Sequence, residues 1–136
     1  MGFFKRLFGI CDTPEPQDGD CWQVDDGQVR LDTTRAPELA DPGGALRLEG
    51  KGLAAPLLVM QAADGRMHAY TNKCSHGGRR LDPLDGGARL RCSSIGKATF
   101  ELDGELVAGP AKGPIRPLVV EKADNELRIT LAGLGD

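Results

Sequence analysis

Apolar and polar side chains alternate in short runs along most of this chain, and turn-forming residues separate the runs. Val29 and Leu31 alternate with polar neighbours over Gln28–Asp32. Similar short runs recur at residues 45–49, 55–61, 66–71, 89–92, 98–102, 105–107, 118–122 and 126–131. A two-residue period marks a half-buried strand, because successive side chains leave a strand on opposite faces. Ala63-Asp64-Gly65, Asp103-Gly104 and Ala123-Asp124-Asn125 fall between consecutive runs, where tight hairpin turns are expected. A single helical turn is predicted over residues 36–39, stopped before Pro42-Gly43-Gly44. Without a repeat or a long helical period, the pattern predicts an all-β domain.

Composition adds detail to the core and to the N-terminus. Three of the four Phe (Phe3, Phe4, Phe8) fall within the first eight residues. The core is therefore expected to be Leu, Val, Ile and Ala, with Trp22, Tyr70 and Phe100 as its large rings. Residues 1–25 are read as an amphipathic segment followed by an acidic linker, and residues 26–133 as the domain. Residues 1–10 place Phe3, Phe4, Leu7, Phe8 and Ile10 around Lys5 and Arg6. So short a helix does not hold alone in water, so it would order only against a partner protein or a membrane surface; a frayed terminus or a tail packed on its own domain is the alternative. Residues 12–26 hold six carboxylates and no basic side chain, whereas the chain from Gly27 onward holds fifteen basic and fourteen acidic residues. That balance argues against a nucleic-acid surface. Four Cys without a secretory h-region do not read as a disulfide framework. No run approaches the ~18–20 apolar residues of a membrane span, and Arg6 breaks the myristoylation pattern. The expected location is the cytoplasm.

Candidate chemistry lies in two loops. The first reads Cys74-Ser75-His76 and the second Cys92-Ser93-Ser94-Ile95, with residues 77–91 between them. Thiolate and neutral imidazole are ligands for iron and zinc. Gly77-Gly78 and Gly96 follow the two loops and give the backbone freedom to turn away from converging ligands. The string Gly65-Arg-Met-His-Ala-Tyr-Thr-Asn-Lys-Cys-Ser-His76-Gly-Gly-Arg-Arg-Leu81 resembles the strand and first cluster loop of Rieske-type ferredoxins. Cys92-Ser-Ser-Ile-Gly-Lys-Ala-Thr-Phe100, with Asp103-Gly-Glu, Gly109-Pro-Ala and Arg116-Pro-Leu118 after it, resembles their second loop and covering segment. The resemblance implies three small antiparallel sheets, with a cluster-binding subdomain of two hairpin loops inserted between strands. It also implies a [2Fe–2S] cluster whose Cys₂His₂ set comes from a Cys-x-His and a Cys-x-x-His pair.

Ile95 stands where that pattern has its second histidine, and Ile has no lone pair to give. By resemblance Cys74 and Cys92 would complete one iron, leaving the other with His76 and a position for water, Ser93 or Ser94. Three alternatives stay open for the same residues: a cluster-free fold, a Cys₂His site for a single zinc or iron ion, and a redox-active Cys74–Cys92 thiol pair. His68 reads as a half-buried strand residue, and Cys11 and Cys21 as free thiols away from the site. Lys73, Arg79, Arg80, Arg91 and Lys97 crowd the two loops and would form a basic rim that steers a redox partner with an acidic docking surface. The acidic linker is expected to cover this rim in the free protein. The residues suggest no nucleophile, phosphate loop or paired acid and base, and the downstream catalytic domain of Rieske oxygenases is not among them. The expectation is a non-enzymatic electron carrier, or alternatively an interaction subunit that docks on a larger redox enzyme or membrane complex.

Overall fold

A computed structural model of the chain describes residues 13–72, 81–92, 98–108, 115 and 117–131. They form eleven strands: β1 (Trp22–Asp25), β2 (Gln28–Asp32), β3 (Ala45–Leu48), β4 (Leu57–Gln61), β5 (Met67–Thr71), β6 (Leu81–Leu84), β7 (Arg89–Cys92), β8 (Thr99–Glu101), β9 (Leu106–Ala108), β10 (Pro117–Ala123) and β11 (Glu126–Thr130). Only single 3₁₀ turns accompany them among the described residues, at Gly19–Cys21, Thr33–Arg35, Pro37–Leu39 and Asp85–Gly87. The all-β expectation holds, and the helical turn before Pro42 is present at Pro37–Leu39.

Every strand pair is antiparallel. One sheet runs β1-β2-β11-β10-β5-β4-β3, and a second runs β6-β7-β8-β9. The three sheets implied by the resemblance are thus two by hydrogen bonding, because β10 joins the halves of the larger one. Its Pro117 and Leu118 pair with β5, whereas Val119 to Ala123 pair with β11.

Side-chain alternation explains why the layers stack as they do. Leu57 and Val59 of β4 face one apolar cluster with Trp22, Val29, Leu31, Leu46, Leu127 and Ile129. The intervening Leu58 and Met60 face a second cluster with Tyr70, Leu81, Leu90, Phe100 and Ile115. β4 is therefore buried on both faces, which explains its nearly continuous apolar sequence. The second cluster fastens the smaller sheet to β4 and β5. Tyr70 adds a polar tie there, its hydroxyl donating to Leu102 O at 2.6 Å. The three large rings expected in the core, Trp22, Tyr70 and Phe100, are all buried.

The acidic linker is a correction. Residues 13–25 lie on the domain, and Trp22–Asp25 is a strand of the larger sheet. Two signals were overlooked. Asp26-Gly27 turns with both φ positive (49° and 73°), as an Asp-Gly hairpin does, and Trp22 is too large an apolar surface to leave in water. Lys51 crosses the Trp22 ring at 4.6 Å and donates its ammonium to Gly19 O and to Trp22 O. Three of the linker's six carboxylates meet arginines of the body: Asp18 takes a two-pronged bond from Arg35, Glu15 faces Arg47, and Asp25 faces Arg30. The basic rim that the linker was expected to cover lies, Arg91 apart, outside the described residues. Residues 1–10, read as an amphipathic segment, lie outside the described residues.

Candidate metal centre

The smaller sheet positions the roots of both candidate loops. Leu81, the first residue of β6, is the register partner of Cys92, the last residue of β7. The chain leaving the first loop therefore runs beside the chain entering the second. β7 continues into β8 with Arg91 opposite Thr99, which closes the second loop as a hairpin. Pro83 sits within β6, a position open to proline because β6 is an edge strand.

One side chain ties together the residues that flank the first loop. Asn72, the residue after β5, is fully buried, and its Oδ1 accepts from Leu81 N–H at 2.7 Å. Its own N–H donates to Pro56 O at 2.8 Å. Its Nδ2 is buried with no partner among the described residues. Sequence reasoning passed over this residue; the available signal was an Asn two positions before a candidate ligand Cys.

A second tie crosses to the N-terminal arm. The Thr13 N–H and hydroxyl both donate to Asp82 Oδ1, at 2.9 and 2.6 Å, and both residues are buried. Arg47 secures the same arm, its N–H donating to Pro14 O and its Nε to Thr13 O. Thr13, Pro14, Gly43, Asp82, Pro83 and Arg91 line a cleft of about 210 Å³. Thr13 and Pro14 thus share a cleft with Arg91 of the strand that carries Cys92.

Of the candidate site residues, Cys92 is placed at the end of β7 and Arg91 beside it, half-buried. Cys74, His76, Ser93, Ser94 and Ile95 lie outside the described residues, as do Lys73, Arg79, Arg80 and Lys97 of the basic rim. His68 is a half-buried residue of β5, stacked parallel to Tyr70 with ring centres 6.3 Å apart. Cys21 is a buried free thiol whose pKa is raised, first by burial and then by the nearby Asp18 and Glu38 charges. Cys11 lies outside the described residues.

Whether these residues suit a [2Fe–2S] cluster is tested by the framework and by donor chemistry. The paired roots of the two loops and the unmet buried Asn72 amide donor suit a site whose filled form presents sulfur acceptors. Cys74, His76 and Cys92 offer donors for three of the four ligand positions, and Ile95 offers none.

Known proteins share this arrangement. The chain is 36% identical over 107 residues to the glycine betaine monooxygenase oxygenase subunit of Pseudomonas aeruginosa, covering 70% of this chain and 24% of that protein. It spans about a quarter of that relative's length. Among solved structures, the quaternary ammonium Rieske monooxygenase CntA matches 71% of this chain and 30% of its own at a TM-score of 0.55 and 22% identity. The ferredoxin of carbazole 1,9a-dioxygenase from Nocardioides aromaticivorans IC177 matches 65% of this chain and 86% of its own (TM-score 0.54, 20% identity). A chain in the complex of reduced oxygenase and oxidised ferredoxin of carbazole 1,9a-dioxygenase reaches 26% identity, with a TM-score of 0.57 over 66% of this chain and 82% of that one. Rieske domains thus occur both in ferredoxins and as parts of oxygenase subunits. A family model for the Rieske [2Fe–2S] domain matches residues 33–123, from the turn after β2 to the end of β10. Two sheets locked together through Tyr70 and Phe100, loop roots joined at Leu81 and Cys92, and this match give one conclusion: the chain belongs to the Rieske [2Fe–2S] domain family.

Proposed function

We propose that this chain is a small Rieske-type electron-transfer protein, an electron carrier without a catalytic group of its own. The carrying observation is the Leu81–Cys92 pairing, which sets the roots of both ligand loops side by side. Cys74, His76 and Cys92 would hold a [2Fe–2S] cluster, with water, Ser93 or Ser94 in the position that Ile95 leaves without a donor. When bound, such a cluster supplies a one-electron carrier. The chain's own residues supply the rest. Two thiolates and an imidazole would bind it, Leu90 and Phe100 of the smaller sheet pack that sheet onto β4 and β5, and Asn72 holds Leu81 where the first loop ends.

Lys73, Arg79, Arg80, Arg91 and Lys97 would steer a redox enzyme with an acidic docking face. The similarity to ferredoxins of an oxygenase system supports a partner of that class. No described helix is long and apolar enough to cross a membrane. The cytoplasm is the proposed location, supported by four Cys that do not read as a disulfide framework, and residues 1–10 would add a contact with a membrane surface or a partner.

Ile95 specifically favours one second reading, a cluster-free interaction subunit docking through the same rim. Visible spectroscopy under anaerobic titration separates the two. An electron carrier shows cluster absorption that bleaches and recovers with one electron per chain. A colourless protein that still binds a redox enzyme would replace the first reading with the second.

A further inference from the structure

Asn72 carries more polar capacity than its surroundings use. The residue is fully buried just after β5, two positions before Cys74. Its Oδ1 is satisfied by Leu81 N–H, yet Nδ2 is buried with no acceptor among the described residues. Burying an unmet amide donor is unfavourable. If packing were the only requirement, an apolar side chain would meet it without that cost. The thiolates and sulfides of a filled site are acceptors that would take this donor. Leu81, held by Asn72, is also the register partner of Cys92, so this one amide ties the root of the first ligand segment to the root of the second.

We propose that Asn72 is a positioning residue of the metal centre. Its Oδ1 clamps Leu81, the first residue of β6, to the end of β5, and its Nδ2 donates to a sulfur of the filled site. The clamp stands on the described hydrogen bonds alone, whereas the donor role rests on the electron-transfer reading. A hydrogen bond to sulfur stabilises the more negative reduced centre, so removing it lowers the reduction potential. A purely structural asparagine would leave the potential where it is.

The test compares the anaerobically purified full chain with Asn72→Ala, which loses both functions, and Asn72→Asp, which keeps the Oδ1 acceptor and loses the amide donor. Amide exchange at Leu81, followed by NMR in metal-free protein, reads the clamp. It is expected to speed up about tenfold in Asn72→Ala, the loss of one ordinary hydrogen bond, and to stay near wild type in Asn72→Asp. Unchanged Leu81 exchange in Asn72→Ala overturns the clamp. The midpoint potential of iron-loaded protein reads the donor and is expected to fall in Asn72→Ala. An unchanged potential overturns the donor role while leaving the electron-transfer reading intact. Wild-type protein that holds no iron overturns that reading and the donor role together, and Leu81 exchange then still decides the clamp. Where Asn72→Ala fails to fold, Asn72→Asp carries both measurements: lost Leu81 protection overturns the clamp, and an unchanged potential overturns the donor.

Discussion

Replacing Thr13 with Val should loosen the N-terminal arm from the candidate centre by a measurable amount. Valine is close to threonine in shape and removes one atom of consequence, the hydroxyl that donates to Asp82 Oδ1 at 2.6 Å. The backbone N–H bond from residue 13 to the same oxygen, 2.9 Å in the wild type, remains available. A hydrogen bond to an ionised carboxylate contributes about 1.5–3 kcal/mol. Because Asp82 keeps the N–H donor, the lower end applies, about 1.5 kcal/mol. For a chain of this size that corresponds to a melting temperature lowered by roughly 5–8 °C. Circular dichroism melts at neutral pH measure it, with limited proteolysis near residues 13–18 as a local readout. Thr13→Ser keeps the hydroxyl and should stay within about 0.5 kcal/mol of wild type, the ordinary range for a mild substitution. If Thr13→Val melted with the wild type, or Thr13→Ser fell as far as Thr13→Val, the buried Thr13–Asp82 tie would not be what holds the arm.

Three further outcomes are expected. Tyr70 is the chain's one tyrosine, and burial, followed by the Asp103 and Asp64 charges, raises its pKa above the ordinary value of 10.0. The unfolded chain therefore loses this proton first. Stability should be independent of this group below about pH 10 and should fall as pH rises above it; a phenolate signal in the ultraviolet at pH 10–11, with the fold intact, would contradict the burial. Gly104→Ala should destabilise by about 1–3 kcal/mol in urea unfolding, because φ is +92° and an added Cβ would lie 2.4 Å from Ile115 O; wild-type stability would show that the Ile115 segment does not lie against the β8–β9 turn. Ile95→His should slow iron loss to a chelator by restoring an imidazole donor, and faster loss in that variant would refute the assignment of position 95.

Most of the fold was legible because its strands announce themselves by alternation and by Asp-Gly turns. β2, β5, β7 and β11 fall within a residue or so of the runs read from Val29, Ala69, Leu90 and Ile129. The two strands missed have local reasons. β1 lies within a run of carboxylates, and charge at Asp18, Asp20, Asp25 and Asp26 masked the burial of Cys21 and Trp22. Only tertiary partners such as Arg35 and Lys51 make that stretch compatible with a packed sheet. β6 contains Pro83, which argues against a strand until its place at the sheet edge is known.

At the candidate site, ligand chemistry was legible because Cys and His declare it by spacing. The supporting residues were not. Asn72, Thr13 and Asp82 act through contacts 9 and 69 positions apart in the chain. Asn72 stands two positions before Cys74, but nothing in the sequence names Leu81 as its partner or pairs Thr13 with Asp82.

Iron and acid-labile sulfide, counted per chain in protein purified without oxygen, test the central claim most directly. Two thiolates and an imidazole holding a binuclear cluster predict about two irons and two sulfides, with both lost on replacing Cys74 or Cys92 by Ser. Stoichiometric zinc, or a chain free of metal and sulfide in the wild type, would contradict it.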